Sequence, residues 1–218
     1  MRYYMKPNVK QHLDTLITRY PELAPIREDI ATMIMTIARC YEQGGKLLLA
    51  GNGGSCADAE HIVGELMKGF KLPRRLSEDM QNRLTAMDSV RGKLLAEKLQ
   101  LGLPAIALSS HPSLNTAFMN DVDSGLMYAQ QLNVLGSKGD VFLAISTSGN
   151  ARNICDAALV AKAKDITVIA LTGGNGGMLR EYADIAVIMP CNETYQIQEL
   201  HLPVYHCLCL MLEEHFFG

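Results

Sequence analysis

Five short runs in the chain are apolar through their middles: "KLLLA" (46–50), "PAIALS" (104–109), "DVFLAIS" (140–146), "ITVIALTG" (166–173) and "ADIAVIMP" (183–190). A strand without polar alternation is buried on both faces, and stretches of helical period lie between these runs. The alternation calls for an α/β fold: a three-layer αβα sandwich on a five-stranded parallel sheet, flavodoxin-like or Rossmann-like. Right-handed crossovers put the strand-to-helix loops on one sheet edge, where open sheets bind ligands.

Helices flank this core. Residues 8–43 keep helical spacing in "IREDIATMIMTIARCYEQGG", with Pro21 and Pro25 dividing the segment and Gly44–Gly45 closing it; a last helix runs from about 195 to 217. A length of 218 residues suits a single domain over 1–218, with N-terminal helices over 1–45. One segment interrupts the alternation: "KLPRRLSEDMQNRLTAMDSVRGKLLAEKLQLG" (71–102) is polar and long, and is expected to be a helical or mobile insertion. Within it Leu76, Met80, Leu84 and Met87, then Val90, Leu94 and Leu95, recur at helical spacing, and Ser77 precedes two acidic residues as an N-cap does. Two readings stand for it: a surface helix on its own subunit, or a flap over the site.

The charge balance argues against nucleic-acid and membrane partners. Twenty Lys and Arg against twenty-three Asp and Glu leave −3, with no basic footprint. No run of about twenty apolar residues crosses a membrane, and the N-terminal "MRYYMKPNVKQHLDTL" lacks the apolar core of a signal peptide. Six cysteines show no CxxC spacing, and most lie in apolar runs as reduced thiols do in a cytoplasmic protein.

Two loops carry chemistry. In "AISTSGNARN" (144–153) a strand empties into Ser146, Thr147 and Ser148 before a helix begins, so hydroxyls and unpaired N-terminal amides converge as they do around a phosphate. Ser, Thr and Asn are also ordinary capping residues, and both readings stand. "AGNGGSCADAEHIVGE" (50–65) has the same shape, with Asn52, Gly53, Gly54 and Ser55 in the turn. His61 and Glu65 share one helix face four residues apart, a spacing for a metal pair, an acid–base pair, or a pair that only props the helix. In the last helix Gln198 and His206 lie eight residues apart and point the same way. His111 and His215 read as bystanders.

Five motifs, "GNGGSCADAEHIVGE", "PAIAL…NTAFMND", "GDVFLAISTSGN", "VIALTGGNGG" and "QELHLPVYH", resemble in order and spacing those of phosphoheptose isomerases in the sugar isomerase (SIS) domain family. The resemblance spans Gly44 to the C-terminal helix apart from 71–102. It implies a cytoplasmic homotetramer with active sites between subunits, acting on sedoheptulose 7-phosphate to give D-glycero-D-manno-heptose 7-phosphate through an enediol. It further implies phosphate on Ser55, Ser146, Thr147 and Ser148, and sugar contacts from Asn52, Gly53, Gly54, Asn120, Asp121 and Gln198. Glu65 and His206 become the proton-transfer pair. Zinc-binding members use positions matching His61, Glu65, Gln198 and His206. Three departures stand out: Ala151 where these enzymes place a serine, Gln196 where they place an arginine, and the long 71–102 segment. Two alternatives accompany this reading: a non-catalytic SIS tetramer that binds a replication initiator, and an SIS isomerase or sensor for another sugar phosphate.

Overall fold

A computed structural model describes residues 5–218; the first four residues of the expected N-terminal helical region lie outside them. The order of elements is α1 (Pro7–Arg19), a 3-10 helix (Pro21–Ile26), α2 (Arg27–Glu42), β1 (Leu47–Ala50), α3 (Gly54–Met67), α4 (Glu78–Met87), α5 (Arg91–Lys98), β2 (Ala105–Ala107), α6 (Pro112–Asp121), α7 (Met127–Leu135), β3 (Val141–Ile145), α8 (Arg152–Ala163), β4 (Thr167–Gly173), α9 (Leu179–Tyr182), β5 (Ile185–Met189) and α10 (Thr194–Phe217). The two prolines do break the first helical region, with Pro21 opening the 3-10 helix and Pro25 inside it.

All five strands are parallel, in the order β2-β1-β3-β4-β5. From β1 the chain moves outward to β2, then returns to lay β3 on the other side of β1. The strand order therefore reverses between β1 and β3, and the loops leaving these two strands face each other across that reversal.

Side chains alternate between the two faces of the sheet. Leu47, Leu49, Val141, Leu143, Ile169 and Leu171 meet α1, α2, α3 and α10 in one core layer. Leu48, Phe142, Ala144, Val168 and Ala170 meet α7, α8 and Leu179 in the other. Each fully buried large aliphatic side chain contributes about 1.5–3 kcal/mol. Among the described residues no helix is long and apolar enough to cross a membrane, and all six cysteines are free.

The 71–102 segment forms a helical hairpin, α4 and α5, that packs chiefly on itself. The Ser77 hydroxyl accepts from the Met80 N–H at the start of α4, as the sequence indicated. Gly92 lets the helices cross closely, since a Cβ there would fall 1.8 Å from the Leu84 carbonyl oxygen. The apolar positions are not sunk in a core: Met80, Met87, Val90, Leu94 and Leu95 are all exposed.

Candidate active site

The first loop begins where β1 ends. Gly53 takes φ +56° as N-cap of α3, a conformation that costs a side-chain-bearing residue and suits glycine. Gly54 lies against Gln198 of α10, with room for no Cβ: one built there would stand 2.6 Å from Gln198 Nε2. The second loop turns at Gly149, φ +66°, where a Cβ would meet the Gly176 carbonyl oxygen at 1.9 Å. Between the two loops is a cleft of about 330 Å³ lined by Asn52, Gly53, Gly54, Ser55, Ser146, Thr147, Ser148, Ala151, Thr194 and Gln198. Its serines, its glycine backbone and the first turns of two helices give it the chemistry that suits an anion, at the sheet's switch point.

Partners not singled out in the sequence help to fix this cleft. The side-chain amides of Asn52 and Asn153 exchange two hydrogen bonds of 2.9 Å, clasping one loop to the helix that follows the other. The buried Tyr128 hydroxyl donates to the Gly51 carbonyl oxygen at 2.8 Å. Asn150 Oδ1 accepts from the Met178 N–H at 3.0 Å and ties the second loop to the turn after β4. Asn153 and Tyr128 carried no motif signal, because each acts through a partner far away in sequence.

The residues expected to transfer protons lie elsewhere. Helices α3 and α10 lie side by side and run in parallel: Gly54 faces Gln198, His61 faces Tyr205, and Phe70 faces Glu213. His61 Nε2 stands 3.4 Å from Glu65 Oε1, and Lys68 donates to Glu65 Oε2 at 2.9 Å. The His61 and His206 rings meet edge to face with centroids 5.1 Å apart. Burial first, then the neighbouring His61, holds the His206 imidazole below its usual value, with Glu65 opposing, so it is neutral at pH 7. Its Nε2 atom is buried without a partner, and its ring opens on a groove of about 240 Å³ between α1 and α10. His201, on the same helix, is fully buried and pushed down to about 4 by burial, which makes it a neutral core residue.

Below this cluster sits a clamp that sequence reading missed. Glu213 accepts from the Phe70, Lys71 and Leu72 N–H groups (2.8, 2.8 and 3.1 Å) and from Arg74 Nε (2.9 Å). Arg74 also donates to the Leu66 and Glu65 carbonyl oxygens at the end of α3, and stacks on the Phe217 ring. The pair is almost wholly buried. It anchors the turn of helix that carries Glu65.

Two expected groupings are not gathered within one chain. Asn120 and Asp121, at the end of α6, are exposed; Asn120 donates to Asp121 at 2.8 Å, and neither lines the serine cleft. The expected zinc set His61, Glu65, Gln198 and His206 is not gathered at one point: Gln198 lines the serine cleft, about 12 Å along α10 from His206 at 1.5 Å per residue. Among the described residues no three His, Cys, Asp or Glu side chains stand close enough together to hold a metal. His111 and His215 have local partners, Gln131 and Glu42.

A doubly covered parallel sheet with serine loops at its switch point defines an SIS-type sugar-phosphate fold, and the family model described as SIS domain matches residues 84–173. Relatives narrow the class. A phosphoheptose isomerase of Geotalea daltonii is 35% identical over 214 residues, covering 98% of this chain and 96% of that protein. One of Burkholderia pseudomallei is 38% identical over 196 residues, covering 90% and 84%. A solved phosphoheptose isomerase from Francisella tularensis superposes with TM-score 0.74 at 30% identity, covering 94% of this chain and 96% of that one. The chain belongs to the phosphoheptose isomerase family.

Proposed function

We infer that the chain isomerises sedoheptulose 7-phosphate to D-glycero-D-manno-heptose 7-phosphate, and that each active site is shared between copies of the chain in a homotetramer. Family membership supports the reaction, and one geometric observation supports the sharing. Ser55 and Glu65 lie ten residues apart on α3, about 15 Å at 1.5 Å per residue. Seven bonds separate carbon 2 of the sugar from its phosphorus, and an extended zigzag of roughly 1.5 Å bonds covers only about 9 Å. With the phosphate on Ser55, Ser146, Thr147 and Ser148 of one chain, the backbone separation to that chain's own Glu65 exceeds the length of the substrate, which favours a neighbouring copy bringing its Glu65 and His206 to carbons 1 and 2.

The chemistry then follows from these residues. The Glu65 carboxylate takes a proton from carbon 1; the carbon–carbon double bond forms, and the electron pair of the carbonyl moves onto oxygen 2. His206, neutral at rest, takes the proton of oxygen 1 and passes a proton on to oxygen 2; the electron pair left on oxygen 1 then forms the aldehyde at carbon 1, and Glu65 returns its proton to carbon 2. Asn52, Gly53, Gly54 and Gln198 would border the sugar chain above the phosphate, whereas Asn120 and Asp121 lie outside this cleft in their own chain. Ala151 leaves the phosphate cradle one hydroxyl poorer without closing it.

The zinc set divides along the same line, with Gln198 at the phosphate end and His61, Glu65 and His206 at the acid–base end. Within one chain these residues do not form a zinc shell; brought together by a neighbouring copy, they would hold a zinc that polarises the carbonyl as a Lewis acid. No step above is routed through it. Both alternative readings are less well supported, because Glu65 and His206 are present together and the relatives carry the isomerase name. A cytoplasmic location accords with the free cysteines.

Mixing tests the sharing. A Ser146→Ala/Ser148→Ala chain and a Glu65→Gln chain, each inactive alone, are co-expressed and assayed. Regained turnover in the mixed oligomer supports a shared site; no regain, with mixed oligomers verified by mass, places the whole site in one chain and overturns the reading.

A further inference from the structure

Large apolar side chains of the α4–α5 hairpin stand in solvent: Met80, Met87, Val90, Leu94, Leu95 and Leu99 are 42–87% exposed. Together they leave roughly 600 Å² open, against the about 800 Å² that each partner gives to a standard protein interface. The hairpin is not a loose tail. Asp88 Oδ1 accepts from the Val90 and Arg91 N–H groups at 2.9 and 2.7 Å and sets the turn between the two helices. An antiparallel bridge joins the stems at Arg75 and Gln100, and the Leu101 N–H donates to the Arg74 carbonyl oxygen at 2.7 Å. Both stems are moored to the end of α3. Arg74 donates to the Glu65 and Leu66 carbonyl oxygens, and Gln100 Oε1 accepts from the Gly69 N–H at 2.6 Å. The apolar face is thus held on the same end of α3 as Glu65.

We propose that this face packs on a second copy of the chain. Three observations select that occupant. The shared-site reading points the Glu65 end of α3 at a neighbour, so a copy that approaches Glu65 also meets the hairpin moored beside it. The open area is close to one side of a stable protein contact. The charges suit a like surface: residues 78–98 carry four acidic and four basic side chains, so two copies meet without net repulsion. A membrane surface fits poorly, because residues 71–102 hold no Trp, Tyr or Phe and the hairpin has no basic excess over 78–98. The segment that interrupts the strand–helix alternation is then an assembly element, and burying it seats Glu65 against the neighbour.

This inference rests on the homotetramer reading, and its test separates the two. Ser89, exposed at the hairpin tip, is replaced in the full chain by the photo-cross-linker p-benzoylphenylalanine. Irradiation is expected to give a covalent dimer on a denaturing gel, in a yield that does not fall on about tenfold dilution. Met87→Glu/Val90→Glu is expected to raise the concentration at which the oligomer half-dissociates, read by light scattering, by roughly 100-fold or more, the scale of losing two central contacts. Both side chains are exposed in the single chain, so its circular-dichroism spectrum should not change; should the pair fail to fold, Met87→Ser/Val90→Ser replaces it. Cross-links confined to one chain of an assembled oligomer overturn the proposal. So does a folded variant whose half-dissociation stays within about threefold of wild type. A wild type that remains a single chain at every concentration overturns the proposal and the homotetramer together. A covalent dimer with no regain of turnover in the mixed-chain assay refutes the shared site and leaves the hairpin interface standing; regained turnover without a covalent dimer does the reverse.

Discussion

Replacing Arg74 with methionine keeps the length of the side chain and deletes its charge. Four contacts go: the 2.9 Å bond to Glu213, the bonds to the Leu66 and Glu65 carbonyl oxygens at 2.6 and 3.1 Å, and the stacking on Phe217. Glu213 keeps its three backbone N–H donors, so its charge is poorly rather than wholly unpartnered. Removing one member of a buried ion pair costs about 3–5 kcal/mol, and the surviving donors put Arg74→Met near 3 kcal/mol. Glu213→Leu strands a buried guanidinium and three N–H groups together, which puts it near the upper figure, about 5 kcal/mol. The double variant leaves no buried charge, so its loss should fall short of the sum by about 2 kcal/mol. Urea unfolding followed by circular dichroism, at one fixed protein concentration, measures all three. The clamp also has a signature in pH. Burial raises the Glu213 carboxyl, but the backbone donors at Phe70, Lys71 and Leu72 together with Arg74 outweigh it and leave the carboxyl lowered in the folded protein. Its contribution is therefore full above the unfolded glutamate value of about 4.3 and is lost as pH falls through the lower folded value. Single variants each within about 1 kcal/mol of wild type, or strict additivity in the double, would refute the clamp.

Glu65→Gln and His206→Ala should each cut turnover by roughly 10²–10⁴-fold, the usual share of a general acid or base, with thermal melting and oligomer mass unchanged; a loss under about tenfold removes that residue from the mechanism. Gly149→Ala forces a Cβ into the Gly176 carbonyl at φ +66°, so it should raise KM for a sugar phosphate and the midpoint for inorganic phosphate inhibition together, read by steady-state assay. Replacing residues 76–98 with a short Gly/Ser linker, sparing Arg74, decides between the two readings of the hairpin. Its apolar side chains stand exposed, so lost substrate affinity in a folded oligomer marks a flap, and unchanged KM and kcat mark a surface ornament.

The fold was legible because its signal is local. Each strand is a short, largely apolar run, and the prolines and Ser77 do their work within a few residues of where they stand. The serine loops were legible for the same reason. What could not be read was set by which residues cross between elements. Nothing in the spacing of Arg74 and Glu213, 139 residues apart, announces a buried pair, and Asn52 and Asn153 meet only because β1 and β3 are neighbours. The helical period put His61, Glu65, Gln198 and His206 on two helix faces, yet it could not say how far along α10 from His206 the serine loops would meet Gln198. That distance is what separates the serine cleft from the cluster of His61, Glu65 and His206. In the 71–102 segment the period was right about helices and silent about burial, since an amphipathic face looks alike whether it lies on its own chain or on nothing.

The central claim is that Glu65 carries a proton between adjacent carbons of a bound ketose phosphate, with the phosphate on the serine loops. Sedoheptulose 7-phosphate incubated with the protein in D₂O and followed by proton NMR tests it most directly. The account predicts growth of the anomeric signals of an aldose 7-phosphate, with carbon 2 carrying deuterium wherever Glu65 exchanges its proton with solvent before returning it. It also predicts that inorganic phosphate suppresses that growth and that Glu65→Gln abolishes it. No aldose signal from the folded wild-type oligomer, or undiminished conversion by Glu65→Gln, would contradict it.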